Sequence, residues 1–485
     1  MKNALKYWYS AVMLVVLCSC SVKNQLSTGK NDTSSRASIT LVPPSPVTNK
    51  VKLDIRGAIW NNSDHDVKYD VAVYVDNVDD GSCVYRNSVQ IKPSGNSGIQ
   101  YYLETNKLAG NRNIIMQVTS ELGKTTRIEP VKIIDSEIRS TKRIDGAWFE
   151  FYHWSEDEGR FWNKDIIKLD NSQWKELIKG MHDIDMNIVV IQELFRNQKY
   201  VGQHNMEKEG YTGRPYYKSM VYPGNKDRSL LENVENGKSS PNYPAWTRIA
   251  ADSALESVLD EADARGMKVF LGVGMYAWFD FTQGSLEWSE KVAKELWEKY
   301  GTHKSFYGWY ISGEIAGDLG TDDSRRKELV HFFKEFRAYA RSLAPDKPVM
   351  LATNCHGIRN SGGYYPELLS NLDILCPFGF HRMPAGDYTG SEAAKILQDY
   401  CDKAGCHLWM DLEVFLFAEK NALYPRPVDQ IIVDLLMFNN FEKVCCYSYT
   451  GLMNAGWQTA TPGGEKTVKL YNDYMHYIMK TENGK

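Results

Sequence analysis

The chain has 485 residues, of which 43% are hydrophobic and 24% charged, with a formal net charge of −4 at pH 7. Those proportions belong to a globular protein and exclude a collagen, a disordered tail protein and a multi-span membrane protein. The mildly acidic balance leaves no basic footprint for nucleic acid. Aromatics reach 12%, with 13 Trp and 29 Tyr, a density that suits sugar stacking and an ordinary core alike.

The chain opens with Lys2 and Lys6, followed by an apolar stretch over 11–17 that is too short to span a bilayer. Leu17-Cys18-Ser19-Cys20 then sets a small residue directly before a cysteine, as in a bacterial lipobox. On this reading residues 1–19 are a lipoprotein signal peptide and Cys20 is lipidated, so the protein is exported and anchored to the bacterial cell envelope through that lipid alone. An ordinary cleaved signal peptide is the alternative. Residues 20–47 are rich in Ser, Thr, Asn and Pro and read as a flexible tether. Downstream cysteines stand at 83, 355, 376, 401, 406, 445 and 446, an odd number without a CxxC pair. Most lie in apolar strand-like runs and read as buried thiols, with Cys401 and Cys406 the pair to watch.

Residues 48–138 carry short alternating segments, among them 51–55, 71–75 and 114–118, separated by turn signals at 61–64 and 79–82. About 90 residues of this kind predict a small all-β sandwich. From 139 onward strand and helix patterns alternate. Strand candidates fall at 144–150, 186–193, 267–275, 306–314, 348–354, 373–379, 407–413 and 443–449. Helical stretches lie between them, for example 246–265, 285–300, 324–343 and 427–441. Near-continuously apolar strands alternating with helices imply a parallel sheet covered on its outside. Eight such units predict an α/β fold of the (β/α)8 TIM-barrel type over 139–485. An open doubly wound sheet would want a Gly-rich phosphate turn, and neither GxGxxG nor a P-loop is present. Residues 196–245 have no helical period and carry several tyrosines, which predicts a long loop over the C-terminal face of the barrel.

The chemistry is signalled by acids that end strands. The fourth candidate ends Tyr310-Ile311-Ser312-Gly313-Glu314 and the seventh ends Trp409-Met410-Asp411-Leu412-Glu413. Side chains alternate along a strand, so Trp409, Asp411 and Glu413 share one face, as do Tyr310, Ser312 and Glu314. Carboxylates at the C-terminal ends of barrel strands face the place where such enzymes work. Strands four and seven lie nearly opposite each other, so their acids can flank one bond, as glycoside hydrolysis requires. One acid protonates the leaving oxygen and needs a raised pKa, while the other attacks or stabilises the oxocarbenium-like centre. Single acids also end strands in barrels for no catalytic reason.

The segments GWYISGEI and LWMDLEVF resemble the retaining glycoside hydrolases of clan A, which share the (β/α)8 barrel. More closely, they resemble a family of barrel proteins found among bacterial lipoproteins and known as a domain of unknown function. The resemblance spans roughly 140–450. It implies Glu314 as acid/base and Glu413 as nucleophile of a retaining double displacement on an oligo- or polysaccharide. Gly313 stands where clan A usually carries an Asn that binds the sugar 2-hydroxyl.

Further candidates for sugar contacts are Trp148, Glu150, Glu193, Tyr276, Trp278, Asn354, His356, His381, Asp411 and Tyr449. Glu150 and Glu193 can hydrogen-bond sugar hydroxyls or pair with a base such as Arg196. The aromatics can stack on a sugar face or pack the core. No HExxH or comparable spacing marks a metal, no GxSxG elbow marks a serine hydrolase, and no cofactor is expected. A non-catalytic glycan-binding lipoprotein on the same scaffold is the second reading.

Overall fold

The computed structural model describes residues 35–153, 155, 157–196, 214–217, 219, 221, 249–274 and 279–483. The signal peptide, Cys20, Tyr276, Trp278 and most of the 196–245 stretch lie outside the described residues.

The N-terminal unit is all β. Strands β1 (Ser35–Val42), β3 (Leu53–Asn61) and β6 (Asn96–Leu103) form one sheet in the order β1-β3-β6. Strands β2 (Val47–Thr48), β4 (Val67–Val75), β5 (Cys83–Ile91), β7 (Gly110–Ser120) and β8 (Gly123–Ile134) form the other, in the order β2-β8-β7-β4-β5. Alternation explains the core between them: Val67, Tyr69, Val71 and Val73 point inward from β4 to meet Ile55 and Ile59 of β3. The tether assignment for 35–47 is corrected here. Residues 35–42 pair antiparallel with β3 along their whole length, and Ala37 and Leu41 are buried in the same core. Their alternation was masked by the Ser and Thr between them.

The C-terminal unit is built on parallel strands β9 (Gly146–Phe149), β10 (Ile188–Ile191), β13 (Lys268–Gly272), β14 (Phe306–Ile315), β15 (Val349–Thr353), β16 (Ile374–Leu375), β17 (His407–Leu408), β18 (Met410–Glu413) and β21 (Val444–Tyr447). Two small antiparallel pairs, β11 (Phe195–Arg196) with β12 (Arg214–Pro215) and β19 (Phe415–Phe417) with β20 (Leu423–Pro425), sit beyond strand ends. The nine strands run in the order β17-β16-β15-β14-β13-β10-β9-β21-β18. Trp409 alone separates β17 from β18 in the chain, so the two ends of the sheet meet and the strands form a nearly closed barrel.

Helices cover the outside, among them Asn171–Asp183, Ala254–Arg265, Gln283–Tyr300, Asp323–Leu343 and Gly390–Ala404. Their ends are chemically marked. Asp170 with Gln173, and Thr389 with Glu392, make capping boxes that satisfy orphan amides at two N-termini. Strand alternation separates two cores, with one slip in β14, where an irregularity in its pairing with β13 lets Tyr307 face inward and Trp309 outward. Ala147, Val189, Ile191, Trp309, Leu408, Met410 and Leu412 face the helices. Trp148, Ile188, Val190, Phe270, Tyr307, Tyr310, Met350 and Trp409 fill the interior. The side-chain alternation expected for 408–412 is therefore observed. Gly146 is dictated by the approach of β10, because a Cβ there would lie 2.2 Å from the Ile188 carbonyl oxygen.

The sandwich packs on the end of the barrel where the strands begin. Val42 joins the interior cluster, and Tyr307 donates to the Leu41 carbonyl at 2.6 Å. Lys443, wholly buried, donates to Asp145 at 2.8 Å and to the Pro46 carbonyl. Arg56 bridges Asp54 at 2.7 Å and Asp373 at 3.0 Å. This contact holds the sandwich away from the barrel's C-terminal mouth. Removing one member of a buried ion cluster leaves charges uncompensated, so Arg56→Met should lower unfolding stability by about 3–5 kcal/mol. Urea unfolding measures it, and a change within error would show the cluster to be energetically neutral.

Candidate active site

A cleft of ≈ 320 Å³ opens at the C-terminal ends of the barrel strands, and both glutamates expected there line it. Trp148, Tyr310, Ala352 and Asp411 form its deeper part, with Glu314, Glu413, Gln192, Phe378, Tyr447 and Arg382 above. Phe415, Phe417 and Leu423 of the β19–β20 hairpin, together with Glu158, complete the wall. The hairpin follows Glu413 directly, so the strand that carries this acid also supplies the apolar wall beside it. Phe417 is 49% exposed at the rim, and such a ring can stack on the apolar face of a sugar.

The two glutamates occupy opposed environments. Glu413 is buried, and Arg382 donates to its Oε1 through Nε at 2.7 Å, with Nη2 at 2.6 Å. His381 Nδ1 lies 3.0 Å from Oε2. Burial by itself works to raise the Glu413 pKa; His381 and Arg382 overcome it and hold the carboxyl below its ordinary value. Glu314 is half-buried, and among the described residues no cation forms an ion pair with it. Burial first, and then the charge of Glu158, push its pKa up to about 7, with Arg382 opposing and Glu413 adding a smaller rise. One carboxylate is thus held ionised and its neighbour held protonated in mildly acid solution, by opposed environments.

The loop after β16 delivers both partners of Glu413. Gly379 adopts φ +91, a left-handed conformation that suits glycine, and a Cβ there would press on His356 Nε2 at 3.0 Å. The turn that follows aims His381 and Arg382 at Glu413. Asn354 and His356 brace the same turn. Asn354 Oδ1 accepts from the His356 amide at 2.8 Å, and His356 Nε2 lies 3.2 Å from the Gly379 carbonyl oxygen. Burial lowers the His356 pKa.

The other sequence candidates divide by strand parity and by partners. Trp148 lies at the cleft and packs edge-on against Tyr310, with ring centroids 5.8 Å apart. Asp411 lies on the cleft face two residues before Glu413, as alternation requires. Burial first, then the charges of Glu413 and Glu314, push its carboxyl well above the usual range. Glu150 is buried behind the cleft wall with both oxygens engaged: Tyr447 OH donates to Oε1 at 2.6 Å, and His153 Nδ1 lies 2.7 Å from Oε2. It positions Tyr447, which does line the cleft. Glu193 is buried one residue beyond Gln192. Tyr449 is corrected as a stacking platform. It points outward into the core under the helices, fully buried, with its hydroxyl 3.4 Å from Gln458 Nε2. A two-residue step along the chain past Tyr447 crosses the end of β21, where strand alternation no longer applies.

Arg382, Glu158 and the β19–β20 aromatics were not singled out from sequence. Arg382 adjoins the named His381, so proximity was its one signal. Glu158 opens a short 3-10 turn, Glu158–Phe161, and carries no strand-end mark. Its Oε2 is 3.2 Å from His153 Nε2. Burial opposes protonation of His153, but Glu150 and Glu158 outweigh it and raise its pKa to about 9. Removing the Glu158 charge takes away a cause of the raised Glu314 pKa. Glu158→Gln should therefore move any limb of the pH–activity profile that belongs to Glu314 to lower pH. An unmoved limb would reject the coupling.

Residues 144–458 match the family described as Domain of unknown function (DUF4434). The chain belongs to that family. The DUF4434 match covers the barrel and ends before the C-terminal helix Glu465–Asn483. Solved structures similar to this chain are glycoside hydrolases. A candidate alpha-L-fucosidase from Bacteroides thetaiotaomicron is 15% identical, covering 71% of this chain and 96% of that one, with a TM-score of 0.47. A beta-glucuronidase from Bacteroides uniformis is 11% identical, covering 91% and 50%, with a TM-score of 0.39. A GH2 beta-galacturonidase from Eisenbergiella tayi, bound to galacturonate, is 12% identical, covering 92% and 72%, with a TM-score of 0.39. These are loose likenesses. Among curated proteins, phosphoribosylamine–glycine ligase of Streptococcus pneumoniae R6 is 30% identical over 126 residues, which is 24% of this chain and 28% of that protein. The DUF4434 chain thus spans little more than a quarter of the curated relatives it matches.

Proposed function

We propose that this protein is a retaining glycoside hydrolase acting on an oligo- or polysaccharide, with Glu314 as acid/base and Glu413 as nucleophile. The observation that carries the reading is the pair of opposed environments within one aromatic-walled cleft. Glu413 is kept ionised by Arg382 and His381, while Glu314 has a pKa raised to about 7. In the first step Glu413 attacks the anomeric carbon as the glycosidic bond breaks, and the Glu314 proton passes to the leaving oxygen. In the second, Glu314 takes a proton from water, which attacks the anomeric carbon and releases Glu413.

On this reading β17, Trp409 and β18 act as a single seventh strand, and the barrel is the (β/α)8 form of clan A. The space at Gly313 permits a side chain, since a Cβ there would stand 3.5 Å from Phe281. The absence of the clan's usual Asn is thus a choice of residue rather than a steric demand. The same proposal includes export and lipidation at Cys20, which Cys20→Ser tests by releasing the protein from the membrane fraction.

The deciding experiment follows a hydrolysed aryl glycoside by proton NMR. Retention at the anomeric carbon supports the double displacement, and inversion rejects it while leaving a hydrolase. The pH profile of kcat/KM should be bell-shaped. Activity needs Glu413 ionised, so it falls as pH drops through a value below the ordinary glutamate range. It needs Glu314 protonated, so it falls again as pH rises through about 7.

A further inference from the structure

Taking the hydrolase reading as its basis, we propose that the cleft floor selects an uncharged glycone, with Asp411 binding one of its hydroxyls, and turns away uronic acids. Asp411 lies two residues before Glu413 on the same strand face, so it sits one layer deeper in the cleft. It is 5% exposed, and its Oδ1 is buried without a hydrogen-bond partner among the described residues. Buried polar atoms in folded proteins are nearly always satisfied, so an orphan oxygen on a residue that lines a cleft marks a place that a ligand completes. Gln192 Oε1, also at the cleft, is a second such orphan.

Charge decides which ligand. Among the described lining residues Glu158, Glu314, Asp411 and Glu413 face one guanidinium, Arg382. Two nitrogens of that guanidinium are already committed to Glu413 Oε1, at 2.7 and 2.6 Å. His381, the other nearby base, is 3.0 Å from Glu413 Oε2. A substrate carboxylate would meet the ionised Glu413, whose partner Arg382 is already engaged with it, and a like-charge contact of this kind rejects a ligand strongly. A hydroxyl both donates and accepts, so it satisfies an orphan oxygen whether Asp411 is protonated or ionised.

The test is calorimetric titration of the full-length protein with methyl glycosides of glucose, galactose, mannose, fucose and xylose, and with methyl glucuronide and galacturonide. At least one neutral glycoside should bind, and its uronide should bind at least about a hundredfold more weakly. Asp411→Ala should weaken the neutral ligand about 10- to 100-fold. Asp411→Asn, which keeps a donor and an acceptor in the same shape, should restore it to within about threefold. Thermal unfolding of both variants separates lost binding from lost structure. A uronide that binds as tightly as its neutral parent overturns the proposal. So do Asp411→Ala binding unchanged in a folded protein, and failure of every neutral glycoside at tens of millimolar. Selective binding of a neutral sugar without turnover of its aryl glycoside upholds the selection and rejects the hydrolase reading alone.

Discussion

Glu413→Gln is expected to lower kcat by at least about 10⁴-fold while the protein stays folded. The amide has the same shape but no charge, so it neither attacks the anomeric carbon nor stabilises developing positive charge there. Arg382 has a side chain 35% exposed and can turn to water when its partner is neutralised. Glu413 contributes stability through its depressed pKa. That contribution is present above the unfolded-state value and is lost as pH falls through the folded-state one. The variant should therefore differ from the parent in stability most at neutral pH and little in strong acid. A second readout isolates the covalent step. A 2-deoxy-2-fluoro glycoside of an accepted sugar should leave its mass on the peptide that contains Glu413, and the Gln variant should take up none. Full activity in Glu413→Gln, or label on another residue, would remove Glu413 from the nucleophile role.

Glu314→Gln should cost about 10²- to 10⁴-fold on glycosides whose leaving oxygen needs a proton. A dinitrophenyl glycoside, which departs without protonation, should lose far less in the glycosylation step. The difference between the two substrates is the diagnostic, because a residue that merely shapes the cleft would affect both alike. The alkaline limb near pH 7 should vanish at the same time, since the group with a pKa of about 7 is gone. A limb that persists unchanged would reassign the proton donor. Asp411, whose carboxyl burial and the charges of Glu413 and Glu314 hold well above the usual range, is then the next group to test.

The strand pattern from 144 onward was legible because each barrel strand is apolar on both faces over a few residues. Seven of the eight strand candidates contain one observed strand each, and the seventh in order contains two, split at Trp409. Glu314 and Glu413 were legible for the same reason: an acid that closes such a run stands out. The first strand of the sandwich was missed because Ser38 and Thr40 alternate with its inward-facing Ala37, Ile39 and Leu41 inside a polar, Ser- and Thr-rich window. Composition over a window hides an alternation that pairing with β3 makes plain.

Local pattern therefore determined the order of strands and helices, the parity of side chains and the two carboxylates that end opposite strands. These depend on neighbours within a few positions along the chain. The environment of each carboxylate was decided only by the tertiary structure. Arg382 and His381 reach Glu413 from the turn at Gly379, and Glu158 raises Glu314 from a short 3-10 turn after β9. Tyr449 faces the helices although Tyr447, two residues earlier, faces the cleft. A pKa depends on desolvation and on charges brought close through space, and neither is encoded in spacing along the chain.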